Sequence, residues 1–231
     1  MQLKSVMDAM KSNINDDTIV VCTMNGLKHE EIISQYVAES QIVRGVTTWT
    51  AGLESPGHSH LLGSGPVEIG ALVDEGKENV KKVAEILNKA GLNGVISQDL
   101  HQSIWKKICV NGTANALSTV LECNMAALNE SSYAKCLIYK LTQEIVHVVT
   151  IDDVHLNVDE VFEYLIGLND KVGAHYPSMY QDLIVNNRKT EIDYINGAVA
   201  TLGKKRHIEA PVNRFITDLI HAKESQRQAQ D

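Results

Sequence analysis

The pattern of apolar residues changes character once along this chain, at Ser97 to His101. Before that point short β-branched runs alternate with amphipathic stretches. After it almost no strand signal remains. Alternating strands and helices build an α/β layer, and sustained helical periodicity builds a bundle. The chain is therefore expected to divide into residues 1–98, an α/β part, and residues 99–231, an all-α part.

In the first part, Leu3, Val6, Met7 and Met10 share a face, so residues 2–12 read as a short helix. Thr18 to Cys22 (TIVVC) is a continuous β-branched run bounded by turn residues, as a buried parallel strand requires. Asn25-Gly26 follows, then a helical stretch from His29 to Ala38, which makes a strand–turn–helix unit. Gln41 to Thr48 is a second β-branched run, and His58 to Gly70 reads as strand, turn, strand. Gly63-Ser64-Gly65 is not a dinucleotide fingerprint. GxGxxG needs glycine at position 68, where Glu68 stands, and no helix opens there. Lys77 to Ala90 is an amphipathic helix that Gly91 ends, and Val95-Ile96 is the last strand expected.

In the second part Ser132 to Thr150, Val158 to Lys171 and Thr190 to Lys204 all show helical spacing. Thr190 is placed to cap its helix, with Asp193 three residues on. Pro211 opens a last helix that runs to His221 or Lys223. The polar tail from Glu224 is expected to fray.

Composition excludes several classes. A formal net charge of −8 disfavours nucleic acid and anionic membrane as partners. No run approaches the ~20 apolar residues of a membrane span, and no secretory h-region follows Lys4 and Asp8. Cys22, Cys109, Cys123 and Cys136 form no CxxC pair and read as reduced thiols in a cytoplasmic protein. His58 and His60 have strand spacing but no third ligand beside them, so no metal site is expected.

The richest stretch is Trp105 to Glu122, WKKICVNGTANALSTVLE. It reads as one helix whose Lys107, Asn111 and Asn115 stand four apart on a single stripe, flanked by Ile108, Val110, Ala114, Leu117 and Leu121. An ammonium and two carboxamides on an apolar ridge suit a small anionic or carbonyl-bearing ligand. The same residues also suit a snorkelling lysine and two interhelical amide links.

Four stretches together carry a resemblance. Asn25-Gly26 after the apolar strand, IWKKICVNGTANAL (Ile104 to Leu117), YPSMYQD (Tyr176 to Asp182) and TEIDYING (Thr190 to Gly197) stand in order and at compatible distances. The chain resembles the 2-dehydropantoate 2-reductase (ketopantoate reductase) family over nearly all its length. The resemblance implies an incomplete Rossmann-like parallel sheet, then a helical domain similar to that of 6-phosphogluconate dehydrogenase. It implies Lys107 as general acid and substrate ligand, and Asn111, Asn115 and Ser178 as further substrate ligands. It implies that Asn25, the Ala51 backbone and Glu191 contact NADP. The reaction implied is hydride transfer to the C2 ketone of 2-dehydropantoate, giving pantoate for coenzyme A synthesis, in an enzyme compatible with a homodimer.

Each of these residues also has a plain structural job open to it. Ser178 can cap the short helix after Pro177, Glu191 suits a helix start, and Asn25 suits a turn. Within the 231 residues no Gly-rich pyrophosphate turn occurs, and Met1 resembles a point about two or three βα units into the family fold. A related 2-oxo acid is the second expectation for substrate. A shortened, non-catalytic association module is the third reading, of a different class. The further substrate asparagine that the resemblance implies in the loop after the lysine helix is not cleanly matched; Asn124-Met125 stands there.

Overall fold

The computed structural model describes residues 2–150 and 154–228 and separates into two compact units. One unit holds residues 1–24 and 28–104. The other holds residues 25–27 and 105–231.

The first unit is a four-stranded sheet with helices on both faces. Its strands are β1 (Val20–Cys22), β2 (Ile42–Thr47), β5 (Val67–Ala71) and β6 (Gly94–Ile96), in the order β1-β2-β5-β6. A side ribbon pairs β3 (Thr50–Ser55) with β4 (His58–Gly63) in antiparallel register. Adjacent residues of a strand point to opposite faces, and β2 uses this to serve two cores. Ile42 packs with Met7, Cys22, Ile33 and Val37, beneath α1 (Gln2–Met10) and α2 (His29–Ile33). Val43 packs with Val67, Ile69, Val80, Val83 and Ala84, beneath α3 (Lys77–Lys89).

Three details depart from the sequence expectation. The β1–β2 and β5–β6 pairs are parallel, but β2 and β5 run antiparallel. The chain leaves β2 through the β3–β4 ribbon and not through a crossover helix, so it returns in the opposite sense. β3 itself was not expected, because TAGLES has no apolar alternation and its order comes from pairing with β4. The first strand is also shorter than Thr18 to Cys22. It lies at the sheet edge, paired to β2 alone, and Val21 is 43% exposed.

A buried cation organises the end of β1. Arg44 is only 3% exposed. Its Nη1 donates to the carbonyls of Cys22 (3.0 Å) and Met24 (3.1 Å), and its Nε lies 3.3 Å from a Glu30 carboxylate oxygen. A guanidinium has five donors and keeps its charge when buried, so it can satisfy carbonyls where the strand ladder stops.

The second unit is helical. It contains α5 (Ala116–Leu121), α6 (Met125–Glu130), α7 (Ser132–Val149), α8 (Val158–Val172), α9 (Ser178–Tyr180), α10 (Asn196–Lys205) and α11 (Pro211–Gln228). Helix α4 (Leu100–Val110) begins within the first unit and ends within the second. At its start, Ser103 donates to the Glu68 carboxylate at 2.6 Å. Helix α7 is the core element, with Ile138, Leu141, Ile145, Val148 and Val149 fully buried. Side chains meet the helix ends. Ser131 accepts from the Ala134 amide and Asn157 from the Asp159 and Glu160 amides. The Glu144 carboxylate takes the Val212 and Asn213 amides at 2.9 and 2.8 Å, where Pro211 opens α11.

Two helix boundaries differ from expectation. Thr190 does not cap a helix. A 3-10 turn over Ile192–Tyr194 and a break at Ile195 precede α10, which starts at Asn196. Glu224 does not begin a frayed tail. Helix α11 runs on to Gln228, and Glu224 is 5% exposed. The rest of that tail lies outside the described residues.

Replacing Arg44 tests its part in the first unit. Arg44→Ala strands two carbonyls and one carboxylate, and is expected to lower stability by about 2–4 kcal/mol in urea denaturation. Arg44→Lys should recover less than half of that loss, since an ammonium cannot span the three acceptors.

Candidate functional site

The stripe read from Trp105 to Glu122 lies on a continuous helical stretch that widens in its middle. Helix α4 carries Lys107, and α5 follows after a π-helical turn over Asn111–Asn115. A π turn admits one extra residue per turn and is most often found at functional sites. Here it falls between the two asparagines of the stripe. Asn115 Nδ2 donates to Asn111 Oδ1 at 3.2 Å, and both residues are buried. Thr113 turns its hydroxyl back to the Cys109 carbonyl at 2.7 Å, and the Gly112 carbonyl accepts from Asn196 Nδ2 at 2.8 Å.

That last bond opens a buried polar chain. The same Asn196 amide donates to Asn213 Oδ1 at 2.9 Å, and Asn213 Nδ2 donates to Glu144 at 2.8 Å. The π turn is thereby tied to the start of α11 and to α7. Gly112 allows the approach, because a Cβ there would stand 3.1 Å from Ile145 and 3.2 Å from the Asn196 amide. Asn196 belongs to the TEIDYING run, yet its residue type and spacing gave it no role. Its signal was its place inside a run that matched as a block.

Glu191 stands on the loop before α10 and is half-buried. Asn25 Nδ2 donates to its Oε1 at 2.9 Å. The two were expected to serve one ligand, and they meet directly. The Asn25-Gly26 turn is also seated by backbone. Leu27 N donates to the Tyr194 carbonyl at 2.8 Å. Gly26 has φ +99°, and a Cβ on it would collide with that carbonyl and stand 2.7 Å from Tyr194 Cβ. Only glycine combines that dihedral with that approach.

Burial pushes the Glu191 carboxyl above its usual range, and the nearby Asp182 charge adds to the shift. The Asn25 hydrogen bond and the Lys107 charge act against it. Lys107 is therefore close enough for its field to be felt at Glu191. Its side chain is half-buried, and it stands one turn before Asn111. Two residues on, the buried Cys109 thiol is pushed up to about 12 by desolvation alone.

Ser178 is the first residue of α9, and its side chain caps nothing. Pro177 takes the cap position and leaves the serine hydroxyl exposed. Helix α9 packs on the π turn and on α5, which brings the Ser178 segment to the Asn111–Asn115 region. Asp182 forms an ion pair with Arg188. Asn124 is the cap of α6, accepting from the Ala127 amide at 3.0 Å, so its side chain has a structural job. Ala51 lies apart from these residues in the chain's division. It sits exposed on β3 in the first unit, paired with Leu61.

The chemistry available in the second unit is thus an ammonium, two linked carboxamides and a raised carboxyl hydrogen-bonded to Asn25. An ammonium stabilises an oxyanion and delivers a proton to it. Carboxamides orient a polar substrate. In the chain, the Asn25-Gly26 turn follows β1 after Thr23 and Met24.

Two substitutions test this geometry. Gly26→Ala should displace the turn and weaken nicotinamide cofactor affinity by at least about tenfold, measured by fluorescence titration. Glu191→Gln keeps an acceptor for Asn25 and removes the charge. A carboxyl with a raised folded pKa destabilises the fold as pH rises through that value, and does not do so below its unfolded pKa. The stability drop across this window, followed by thermal melts, is expected to shrink in Glu191→Gln while the melting temperature at neutral pH holds or rises.

Comparison with known proteins identifies the family. The family model described as "Ketopantoate reductase PanE/ApbA" matches residues 1–74, and "Ketopantoate reductase PanE/ApbA C terminal" matches residues 99–224. The 2-dehydropantoate 2-reductase of Lactococcus lactis subsp. lactis is 46% identical over 97% of this chain and 72% of its own length. That of Streptococcus pyogenes serotype M18 is 42% identical over 97% and 73%. A ternary structure of D-mandelate dehydrogenase with NADH and anilino(oxo)acetate superposes with TM-score 0.94 at 44% identity, covering 99% of this chain and 74% of that one. Among the described residues no helix is long and apolar enough to cross a membrane. The chain belongs to the ketopantoate reductase family of nicotinamide-dependent oxidoreductases.

Proposed function

We propose that this chain carries the substrate and proton-donor machinery for NADPH-dependent reduction of 2-dehydropantoate to pantoate. The observation that supports it most is the stripe of Lys107, Asn111 and Asn115, whose two asparagines are buried and hydrogen-bonded to each other in a π turn. In this reading the cofactor, when bound, supplies a hydride to the C2 ketone carbon. Lys107 stabilises the oxygen as its charge grows and gives it a proton, and solvent returns a proton to the amine. Asn111 and Asn115 orient the substrate, and Ser178 binds its carboxylate. Glu191, Asn25 and the Ala51 backbone contact the cofactor. Residues 1–98 serve the cofactor, and residues 99–231, Glu191 apart, the substrate.

A second reading keeps the reaction and changes the acid. The D-mandelate dehydrogenase neighbour is as similar to this chain as the reductases are, and it was solved with NADH and an aromatic oxoacetate. It favours a bulkier 2-oxo acid and NADH.

Kinetics decide between them. Under the first reading, kcat/KM is highest for 2-dehydropantoate with NADPH, and Lys107→Ala lowers kcat by roughly 10²–10⁴-fold. Higher kcat/KM for benzoylformate with NADH would establish the second reading. Failure of NADPH and NADH alike to bind in a fluorescence titration would favour the association module and sink both.

A further inference from the structure

The loop that presents Glu191 has no regular structure of its own between Thr190 and the 3-10 turn, yet it is held at both ends by one turn of α11. Glu224 Oε1 accepts from the Thr190 amide at 2.7 Å and from its hydroxyl at 2.8 Å. Glu224 Oε2 lies 2.9 Å from His221 Nδ1, and His221 Nε2 lies 2.9 Å from Asp193 Oδ1. The two clamped residues, Thr190 and Asp193, bracket Glu191. Directly after Asp193, Tyr194 N donates to the Glu191 carbonyl at 2.9 Å, and the Tyr194 carbonyl in turn receives Leu27 N.

We propose that Glu224 and His221 are positioning residues for the reaction: they clasp the Thr190–Asp193 loop from α11 and so fix where Glu191 meets Asn25. The assignment rests on the reading of Glu191 as a site residue. Three observations carry it. A carboxylate 5% exposed within a polar helix end needs partners, and its partners are this loop. Thr190 cannot be held by its own helix, because α10 does not begin until Asn196. The Asn25-Gly26 turn takes its backbone seat from Tyr194, so a shift of the loop moves both halves of the Asn25–Glu191 bond. Burial disfavours a charge on His221, but the two carboxylates beside it outweigh burial and hold its pKa above the usual histidine value. An imidazolium bridging two carboxylates is the stronger form of the clasp.

The test uses Glu224→Ala, Glu224→Gln and His221→Gln in the full chain, with melting temperature as the check on folding. The first readout is amide exchange at Leu27, which reports the seat and needs no turnover. Glu224→Ala is expected to speed it by roughly tenfold or more. Glu224→Gln keeps an acceptor for Thr190 and should recover part of the protection. His221 is half-exposed, so His221→Gln should fold normally and show a smaller increase. The second readout is kinetic. A displaced Glu191 should lower kcat with the 2-oxo acid by roughly three- to thirtyfold while its KM changes less. Unchanged Leu27 exchange in all three variants overturns the proposal. So does faster exchange with unchanged kcat, provided Glu191→Gln does lower kcat. If Glu191→Gln keeps full turnover, it is the site reading of Glu191 that fails, and Leu27 exchange alone then decides whether the clasp holds the turn.

Discussion

One extra residue in a helical turn sets the terms for the second unit. A regular α-helix from Trp105 to Glu122 would bond every carbonyl to the residue four further on. The π turn at Asn111–Asn115 breaks that ladder where Gly112 leaves space, and Asn196 fills the gap by taking the Gly112 carbonyl. Wide turns are costly in isolation and persist where the surroundings over-determine them. Here the surroundings are a chain of amides from Asn196 through Asn213 to Glu144, itself fixed on the start of α11. A buried polar chain bonded at each of these links admits few alternative packings. It therefore makes the placing of Asn111 and Asn115 a property of the whole bundle, and not of one helix.

The long helices of both parts were legible because they depend on periodicity, which the residues themselves carry. Val80, Val83 and Ala84 announce α3, and Ile138, Leu141 and Ile145 announce α7, before any neighbour is known. The stripe of Lys107, Asn111 and Asn115 was legible for the same reason. Its widening was not, since one longer turn shifts the pattern by less than a residue's breadth. Nor does residue type alone say what an asparagine does in the fold. Asn111 and Asn124 look alike in the sequence, but one lies in the π turn and the other caps α6.

The errors share a cause. Thr190 has the residue type of a helix cap, and Glu224 has that of a solvated tail. Each is locally plausible, and each is overruled by the other, since Glu224 is buried because it bonds Thr190. A contact between residues 34 apart leaves no periodic trace. β3 was overlooked in the same way, because its order comes from β4.

Cys109 lies two residues from Lys107, and a thiol so placed is ordinarily a weak point. Nucleophilic attack and oxidation proceed through the thiolate. With its ionisation pushed up to about 12 and its side chain sealed from water, this sulfur offers almost none at neutral pH. Cys136 is the exposed thiol, far along the chain on α7. Maleimides and peroxide will therefore mark the outside of the bundle and leave the lysine helix chemically silent. Covalent inhibitors aimed at this enzyme would do better to seek the amine than the sulfur.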